Sequence, residues 1–222
     1  MNQRQQEITK DIANENQARA IVYNFLSSLF AKELTKDLVA QLSSEQGQVF
    51  LHSLAFEPSL KVCINRINAK LNELNNERAL IELAADFCGL FLVDGRTSAS
   101  PYAGQYLNVE PTNIKSTDKK SKKIHVFGDF HQQIANFLVK SNMQVHRDFP
   151  EPSDHIAVIL AYTAHLCEST NTQNQLNFIN NYLMSWINEF TQQVHLHDQG
   201  LFYSAIAELT LKWLEIDVED LT

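Results

Sequence analysis

Residues that form turns are scarce in this chain of 222 residues, which contains only 6 glycines and 5 prolines. Sandwiches and barrels of β-strands need many tight turns, and most such turns require glycine or proline. The shortage therefore argues against an all-β fold. Apolar residues instead recur at steps of three and four along most of the chain, as from Ala18 to Phe30, which is typical of amphipathic helices. We predict an all-α protein.

Long apolar runs and cysteine pairs are also missing. No stretch approaches the roughly 18 uninterrupted apolar residues of a membrane span, and the first residues lack the apolar centre of a secretory signal. Cys63, Cys88 and Cys167 lie far apart and form no C-x-x-C pair, which is typical of reduced thiols. We therefore expect a cytoplasmic protein with no integral membrane segment.

Positive charge is in the minority, since 18 lysines and arginines stand against 26 aspartates and glutamates for a net charge of −8. An acidic protein repels the phosphate backbone of nucleic acids and attracts basic peptides. We therefore expect no nucleic-acid partner. The lysines between Lys115 and Lys123 could hold phosphate, but a charge run of this kind is usually a solvated loop, and we interpret it as one.

The helical pattern breaks in one place. Residues 94–126 contain two glycines, two prolines and the lysine run, and a stretch of this length in a compact chain is usually functional or a connector. We predict an N-terminal helical subdomain over residues 1–108, a connector or hinge over 109–125, and a C-terminal helical subdomain over 126–222. An open hinge would also allow two copies to exchange halves, so a domain-swapped homodimer is an alternative to the closed monomer.

Complete catalytic motifs are absent, including the phosphate-binding loop, the G-x-S-x-G elbow and the H-E-x-x-H zinc motif. The sharpest remaining cluster is His195, His197 and Asp198, because two histidines and a neighbouring aspartate can share a metal ion. It leaves open a metal-dependent phosphohydrolase of the helical HD-like type. The cluster lies just before Gly200, however, where the end of a helix favours histidine through the helix dipole alone. We therefore predict no catalytic residues and no metal site.

A polar cluster precedes one of the most apolar helical stretches. Residues 149–155 read F-P-E-P-S-D-H, and proline suits the first turn of a helix. Ser153 or Asp154 could accept a hydrogen bond from the exposed amides of that turn. Capping needs only one such residue, so the cluster indicates a second role.

Three motifs in the chain resemble those of the TorD/DmsD/NarJ-type chaperones. The run E-P-S-D-H at 151–155 resembles the family signature, D-F-C-G-L-F at 86–91 resembles its D-Y-x-x-L-F, and P-Y-A-G-Q-Y at 101–106 resembles its P-Y-x-x-x-Y. Phe87 replaces the usual tyrosine, and the middle of the third motif lacks the usual serine. The likeness covers residues 18–215 and is greatest to the TorD branch.

The resemblance implies a helical chaperone without catalytic activity. Such a protein binds an apo-molybdoenzyme and its twin-arginine signal peptide, and favours insertion of the molybdenum cofactor before export. The TorD likeness implies trimethylamine-N-oxide reductase as the client, and no resident cofactor beyond weak GTP binding. It also implies contacts with the client or signal peptide at seven residues, namely Asp86, Tyr102, Tyr106, Glu151, Pro152, Asp154 and His155.

The composition is compatible with that function. A signal peptide with two guanidinium groups beside an apolar run requires carboxylates next to an apolar groove, and an acidic helical protein can provide both. His155 would add a group whose charge can change near neutral pH. We expect such a group to suit a step in which the client is released.

Overall fold

The structure, a computed structural model, describes residues 3–74, 76–93, 95–107, 128–145 and 147–222, with side chains from residue 10 onward. The helices within these ranges are α1 (Gln3–Ala31), α2 (Lys36–Ser43), α3 (Glu45–Leu54), α4 (Lys61–Glu73), α5 (Glu77–Phe87), α6 (Gly104–Leu107), α7 (Asp129–Lys140), α8 (Ile156–Ser169), α9 (Thr172–Ile179), α10 (Ile187–His197) and α11 (Phe202–Asp220). Among the described residues the β structure is limited to one isolated bridge, between Tyr102 and His155. The predicted all-α class is confirmed.

Several helices begin at a side chain that caps the first amides. Thr35, Ser44, Asn76 and Asn171 each accept a hydrogen bond from an amide in the first turn of α2, α3, α5 and α9. Caps of this kind satisfy donors that have no partner within the helix. Ser44 also ends α2, so the two short helices share one residue as their corner.

The stretch between residues 176 and 190, which has continuous helical spacing, is interrupted in the structure. A π turn, Asn180–Met184, separates α9 from α10. The amide of Trp186 donates to the carbonyl of Leu183 at 3.2 Å. The carbonyl of Tyr182 instead accepts from the indole N–H of Trp186 at 2.8 Å. The main-chain amide of Trp186 is thus directed to Leu183, and its buried indole N–H satisfies the carbonyl of Tyr182 instead.

Helix α8 lies at the centre of the molecule. Its residues are buried at 10 of 14 positions, which is the pattern of a helix covered on nearly all sides. Helix α1 packs along α8, and α11 packs against α4 and α10. No helix in the described ranges combines the length and apolar character that crossing a membrane requires.

The two predicted subdomains contribute to one hydrophobic core. Helices α1 and α4 come from residues 1–108, and their partners α8 and α11 come from residues 126–222. The predicted hinge at 109–125 and the lysine run lie outside the described residues. The subdomain boundary and the exchange of halves therefore stay predictions.

A buried ion pair joins the first and last helices. The guanidinium of Arg19 in α1 donates to both carboxylate oxygens of Asp217 in α11, and the hydroxyl of Tyr23 donates to the same carboxylate. Arg19 also donates to Gln175 at 2.6 Å. The side chains of Arg19 and Asp217 are only 12% and 2% exposed. Removing one partner would leave an uncompensated buried charge, which is costly.

Replacing Arg19 by methionine is therefore expected to lower the free energy of unfolding by about 3 kcal/mol. The Arg19→Met/Asp217→Asn double variant should lose less, because no carboxylate remains buried without a cation. Urea denaturation followed by circular dichroism measures both. Arg78→Met is the matched control, since Arg78 pairs with Glu82 on an exposed helix face and such pairs contribute little. Equal losses in Arg19→Met and Arg78→Met would contradict the prediction.

Candidate functional site

Main-chain hydrogen bonds join the segment before α6 to the start of α8. The amide of Ile156 donates to the carbonyl of Pro101 at 2.8 Å, and the amide of Ala103 donates to the carbonyl of Asp154 at 3.0 Å. Tyr102 and His155 form the isolated bridge between these two bonds. Two of the three sequence motifs, residues 101–106 and 151–155, are therefore in direct contact.

Asp154 is a buried side chain that holds this junction together. One carboxylate oxygen, Oδ2, accepts a hydrogen bond from the amide of Gly104 at 3.2 Å. The other, Oδ1, lies 3.5 Å from Nδ1 of His131. That ring nitrogen accepts the amide hydrogen of Ser153, so it carries no proton for Asp154, and Oδ1 has no hydrogen-bond partner among the described residues. Burial raises the pKa of Asp154 above its usual value.

The cap of α8 differs from the prediction. We expected Ser153 or Asp154 to accept a hydrogen bond from the first turn, but the acceptor is Nδ1 of His155, which receives the amide of Ala157 at 3.1 Å. The carboxylate of Asp154 is instead turned toward Gly104. The predicted cap is therefore wrong, because His155 and not Ser153 or Asp154 caps α8.

His155 is also unsuited to the role we expected for it, a change of charge near neutral pH when the client is released. It is 3% exposed, and its ring lies between Tyr102 and Phe149, with centroids 5.3 and 5.1 Å away. Burial lowers the pKa of His155 to about 3. The ring is neutral near pH 7 and keeps its proton on Nε2, because Nδ1 is the acceptor for the cap.

The two tyrosines of the 101–106 motif play different parts. The hydroxyl of Tyr102, which is half-buried, donates to the carboxylate of Glu151. Tyr106 faces the core, where its ring stacks on Trp186 at 5.6 Å and its hydroxyl donates to the carbonyl of Ser100 at 2.7 Å. Tyr102 is thus available to a ligand, whereas Tyr106 fastens the segment to the core.

A cavity of about 270 Å³ opens beside Tyr102 and Glu151; we call it the Glu151 cavity. Part of the lining is apolar and comes from the π turn Cys88–Leu92, which follows α5, together with Val93 and Pro101. The lining also carries two carboxylates, those of Glu151 and Asp154. The lining comprises Leu90, Phe91, Leu92, Val93, Ser98, Ser100, Pro101, Tyr102, Gly104, Gln105, Glu151, Pro152 and Asp154.

The Glu151 cavity brings together four of the seven residues expected at the site. These are Tyr102, Glu151, Pro152 and Asp154. The other two, His155 and Tyr106, do not line it: His155 is buried, and Tyr106 is partly buried and packs against the core. The sequence analysis did not predict the apolar residues of this lining. Two of them, Leu92 and Val93, are 56% and 60% exposed in the structure. Their position directly after the 86–91 motif was the available signal.

Asp86, the seventh residue, lines a separate cavity of about 200 Å³ together with His197 and Asp198; we call it the Asp86 cavity. Leu90 belongs to the lining of both cavities. The sequence grouped Asp86 with the E-P-S-D-H run, but the structure places it on the other side of Leu90. Asp198, 112 positions further along, is a neighbour that linear order could not reveal.

The residues considered above as a possible metal cluster, His195, His197 and Asp198, do not share one set of contacts. Asp198 accepts hydrogen bonds from the amide and hydroxyl of Ser204 at 2.6 and 2.8 Å, at the start of α11. His195 faces Glu208, with Nε2 3.9 Å from the carboxylate. Among the residues whose side chains are described, no three histidine, cysteine or acidic side chains are arranged to hold a metal ion.

Comparison with known proteins places the chain in one class. The family model described as "Nitrate reductase delta subunit" matches residues 54–192, which include both cavities except for the Asp198 side. The chain belongs to this family.

The chain is also similar, over nearly its whole length, to individual named proteins. A protein of Colwellia psychrerythraea named "Chaperone protein TorD" is 58% identical, covering 96% of both chains. Proteins of the same name from Shewanella piezotolerans and Aliivibrio salmonicida are 47% and 38% identical, covering 93% and 92% of this chain and 94% of each relative. The resemblance to TorD-type chaperones is confirmed.

The lowered pKa of His155 predicts a specific loss of stability in acid. In the unfolded chain His155 takes up a proton near its ordinary pKa of 6.5, whereas burial in the folded chain lowers that pKa to about 3. Between these limits the unfolded state binds more protons, so stability falls as the pH falls, by at most about 1.4 kcal/mol per pH unit from this residue. The His155→Asn variant, which keeps a capping acceptor, should lose this part of the pH dependence.

Chemical denaturation of both proteins at a series of pH values between 7 and 4 measures the effect. The stability gap between the native chain and His155→Asn should narrow as the pH is lowered. His52→Asn is the control, because His52 is exposed on α3. A gap that is constant over this pH range would contradict the neutral, buried histidine.

Proposed function

We propose that the protein is a cytoplasmic chaperone for maturation of a molybdenum oxidoreductase, and that it binds the apo-enzyme and its twin-arginine signal peptide before cofactor insertion and export. The observation that carries the proposal is the Glu151 cavity, whose lining combines carboxylates with apolar side chains in a chain closely similar to proteins named TorD. Trimethylamine-N-oxide reductase is the proposed client, on the strength of that similarity.

The chemistry of the cavity matches a peptide with arginines beside an apolar run. A guanidinium binds a carboxylate through charge-assisted hydrogen bonds, and Glu151 is only half-buried, so a peptide can reach it. The hydroxyl of Tyr102 holds the Glu151 carboxylate in place. Leu92 and Val93 offer exposed apolar surface for the neighbouring residues of the peptide.

The proposal assigns the protein no reaction of its own. Asp154 and His155 instead serve the fold: Asp154 accepts the amide of Gly104, and His155 accepts the amide of Ala157 at the start of α8. The phosphohydrolase alternative would need His195, His197 and Asp198 to converge, and two of these side chains face different partners. Binding and release of a client are sufficient for a chaperone.

Replacing Glu151 by glutamine is expected to weaken binding of the client's signal peptide about tenfold, because one charge-assisted hydrogen bond is lost. Tyr102→Phe should weaken it less, since it only frees the Glu151 carboxylate to move. Isothermal titration with the synthetic signal peptide measures both. Neither variant should change the melting temperature by more than a few degrees.

Glu189→Gln is the matched control, because Glu189 is exposed on α10 and its replacement removes the same charge. A second readout is the fraction of mature oxidoreductase in cells that carry only the variant chaperone. If Glu151→Gln and Glu189→Gln bind the peptide equally well, the Glu151 cavity is not the peptide site.

Exchange of halves between two copies stays part of the proposal. The pairs α1 with α8 and α4 with α11 join residues on opposite sides of the predicted hinge, and the same contacts can form between two chains when the hinge is open. We expect light scattering to show a dimer fraction that rises with concentration. A monomer mass at all concentrations would argue against it.

A further inference from the structure

The Asp86 cavity contains a carboxylate oxygen that no described residue satisfies. Asp198 is 4% exposed, and its Oδ2 accepts both hydrogen bonds from Ser204. Its Oδ1 has no hydrogen-bond partner within the described ranges, and the residue lines the cavity. Leaving a buried carboxylate oxygen unpaired is costly, so a hydrogen-bond donor that reached this oxygen would remove that cost.

Asp86 faces the same point from α5. A methyl group built on Gly200 would lie 2.5 Å from Oδ2 of Asp86 and 3.6 Å from Oδ1 of Asp198. Both carboxylates therefore lie close to Gly200, and a larger residue at this position would have to displace the Asp86 side chain. Glycine is needed here for the close approach and not for an unusual backbone angle.

The two carboxylates repel each other. Burial, and then the charge of Asp198, raise the pKa of Asp86. Lys70 has a smaller opposing effect, but its ammonium group is bonded to Glu73 at 3.1 Å. A positive group placed between Asp86 and Asp198 would remove the repulsion and satisfy the free oxygen.

The shape of the site favours a basic side chain. No three metal-type side chains converge in the part of the chain whose side chains are described. A guanidinium has five donors in a planar fork, so a single group can reach two carboxylates at once. The other polar residues of the cavity lining are Thr97, His197 and Gln199, and the side-chain oxygens of Thr97 and Gln199 are further potential acceptors.

We propose that the Asp86 cavity binds an arginine side chain of the client polypeptide whose adjoining residues occupy the Glu151 cavity. The inference rests on the proposed function and goes beyond it by assigning a second binding position. Leu90 lines both cavities, so one peptide passing over it reaches both. A peptide advances by about 3.3 Å per residue when extended, and an arginine side chain adds several ångströms of reach. Nearby basic residues can therefore occupy the two cavities together.

The direct test uses N-acetyl-arginine amide as the probe and N-acetyl-citrulline amide, its uncharged analogue, as the comparison. Nuclear magnetic resonance follows the carboxyl carbons of Asp86 and Asp198 and the amide of Gly200 in the full chain. We expect the arginine compound, but not the citrulline compound, to shift these signals in a saturable way. Asp86→Asn should weaken this binding about tenfold or more.

Gly200→Ala provides a second variant that keeps both carboxylates. Its methyl group should displace Asp86 and weaken the probe's binding at this cavity by a similar factor, while Glu189→Gln should leave it unchanged. Unchanged affinity in both Asp86→Asn and Gly200→Ala would overturn the proposal. Equal shifts with the citrulline compound, or shifts produced by magnesium or calcium ions alone, would overturn it as well.

Titration of the signal peptide separates this inference from the proposed function. If the peptide binds and depends on Glu151 but not on Asp86, the proposed function stands and the second position is wrong. If the arginine compound binds at Asp86 but the signal peptide does not bind at all, the cavity takes a basic group and the proposed function is wrong. A loss of peptide affinity in both Glu151→Gln and Asp86→Asn supports the two together.

Discussion

The first amides of α8 have no acceptors within their own helix, and the way they are satisfied organises the site. His155 receives the amide of Ala157 through its side chain, and the carbonyl of Pro101 receives the amide of Ile156. Because α8 is buried at the centre of the molecule, these donors cannot be left to water. The segment carrying Tyr102 is therefore held against the start of α8, and this contact creates the wall on which Tyr102 meets Glu151.

Three buried aspartates differ in how completely the protein satisfies their carboxylates. Asp217 has both oxygens bonded, to Arg19 and Tyr23, and it joins the first helix to the last. Asp154 and Asp198 each have one oxygen bonded to the protein and one without a partner among the described residues. A buried carboxylate that only supported the fold would gain from full satisfaction. The two incomplete ones are the two that line neighbouring cavities.

The E-P-S-D-H run illustrates why a motif cannot be assigned to capping or to function alone. His155 caps the helix, Asp154 joins Gly104, and Glu151 reaches the cavity with Tyr102. Consecutive residues at the start of a helix point in different directions, so a short run can serve the fold and the site together. The residues that serve the fold are buried, and Glu151, the acidic one that is only half-buried, is the best placed to meet a client.

The sequence by itself determined the helical class, the positions of most helices and the family, because helical spacing, scarce turn residues and short motifs are all local properties. It also grouped Tyr102, Glu151, Pro152 and Asp154, which the structure brings to one cavity. Only the tertiary structure decided that His155 is neutral, since its pKa depends on burial by residues from other segments. Likewise, the approach of Asp86 to Asp198 across Gly200 depends on how α5 meets the turn before α11. Contacts between residues so far apart in the chain depend on packing, and no local pattern records them.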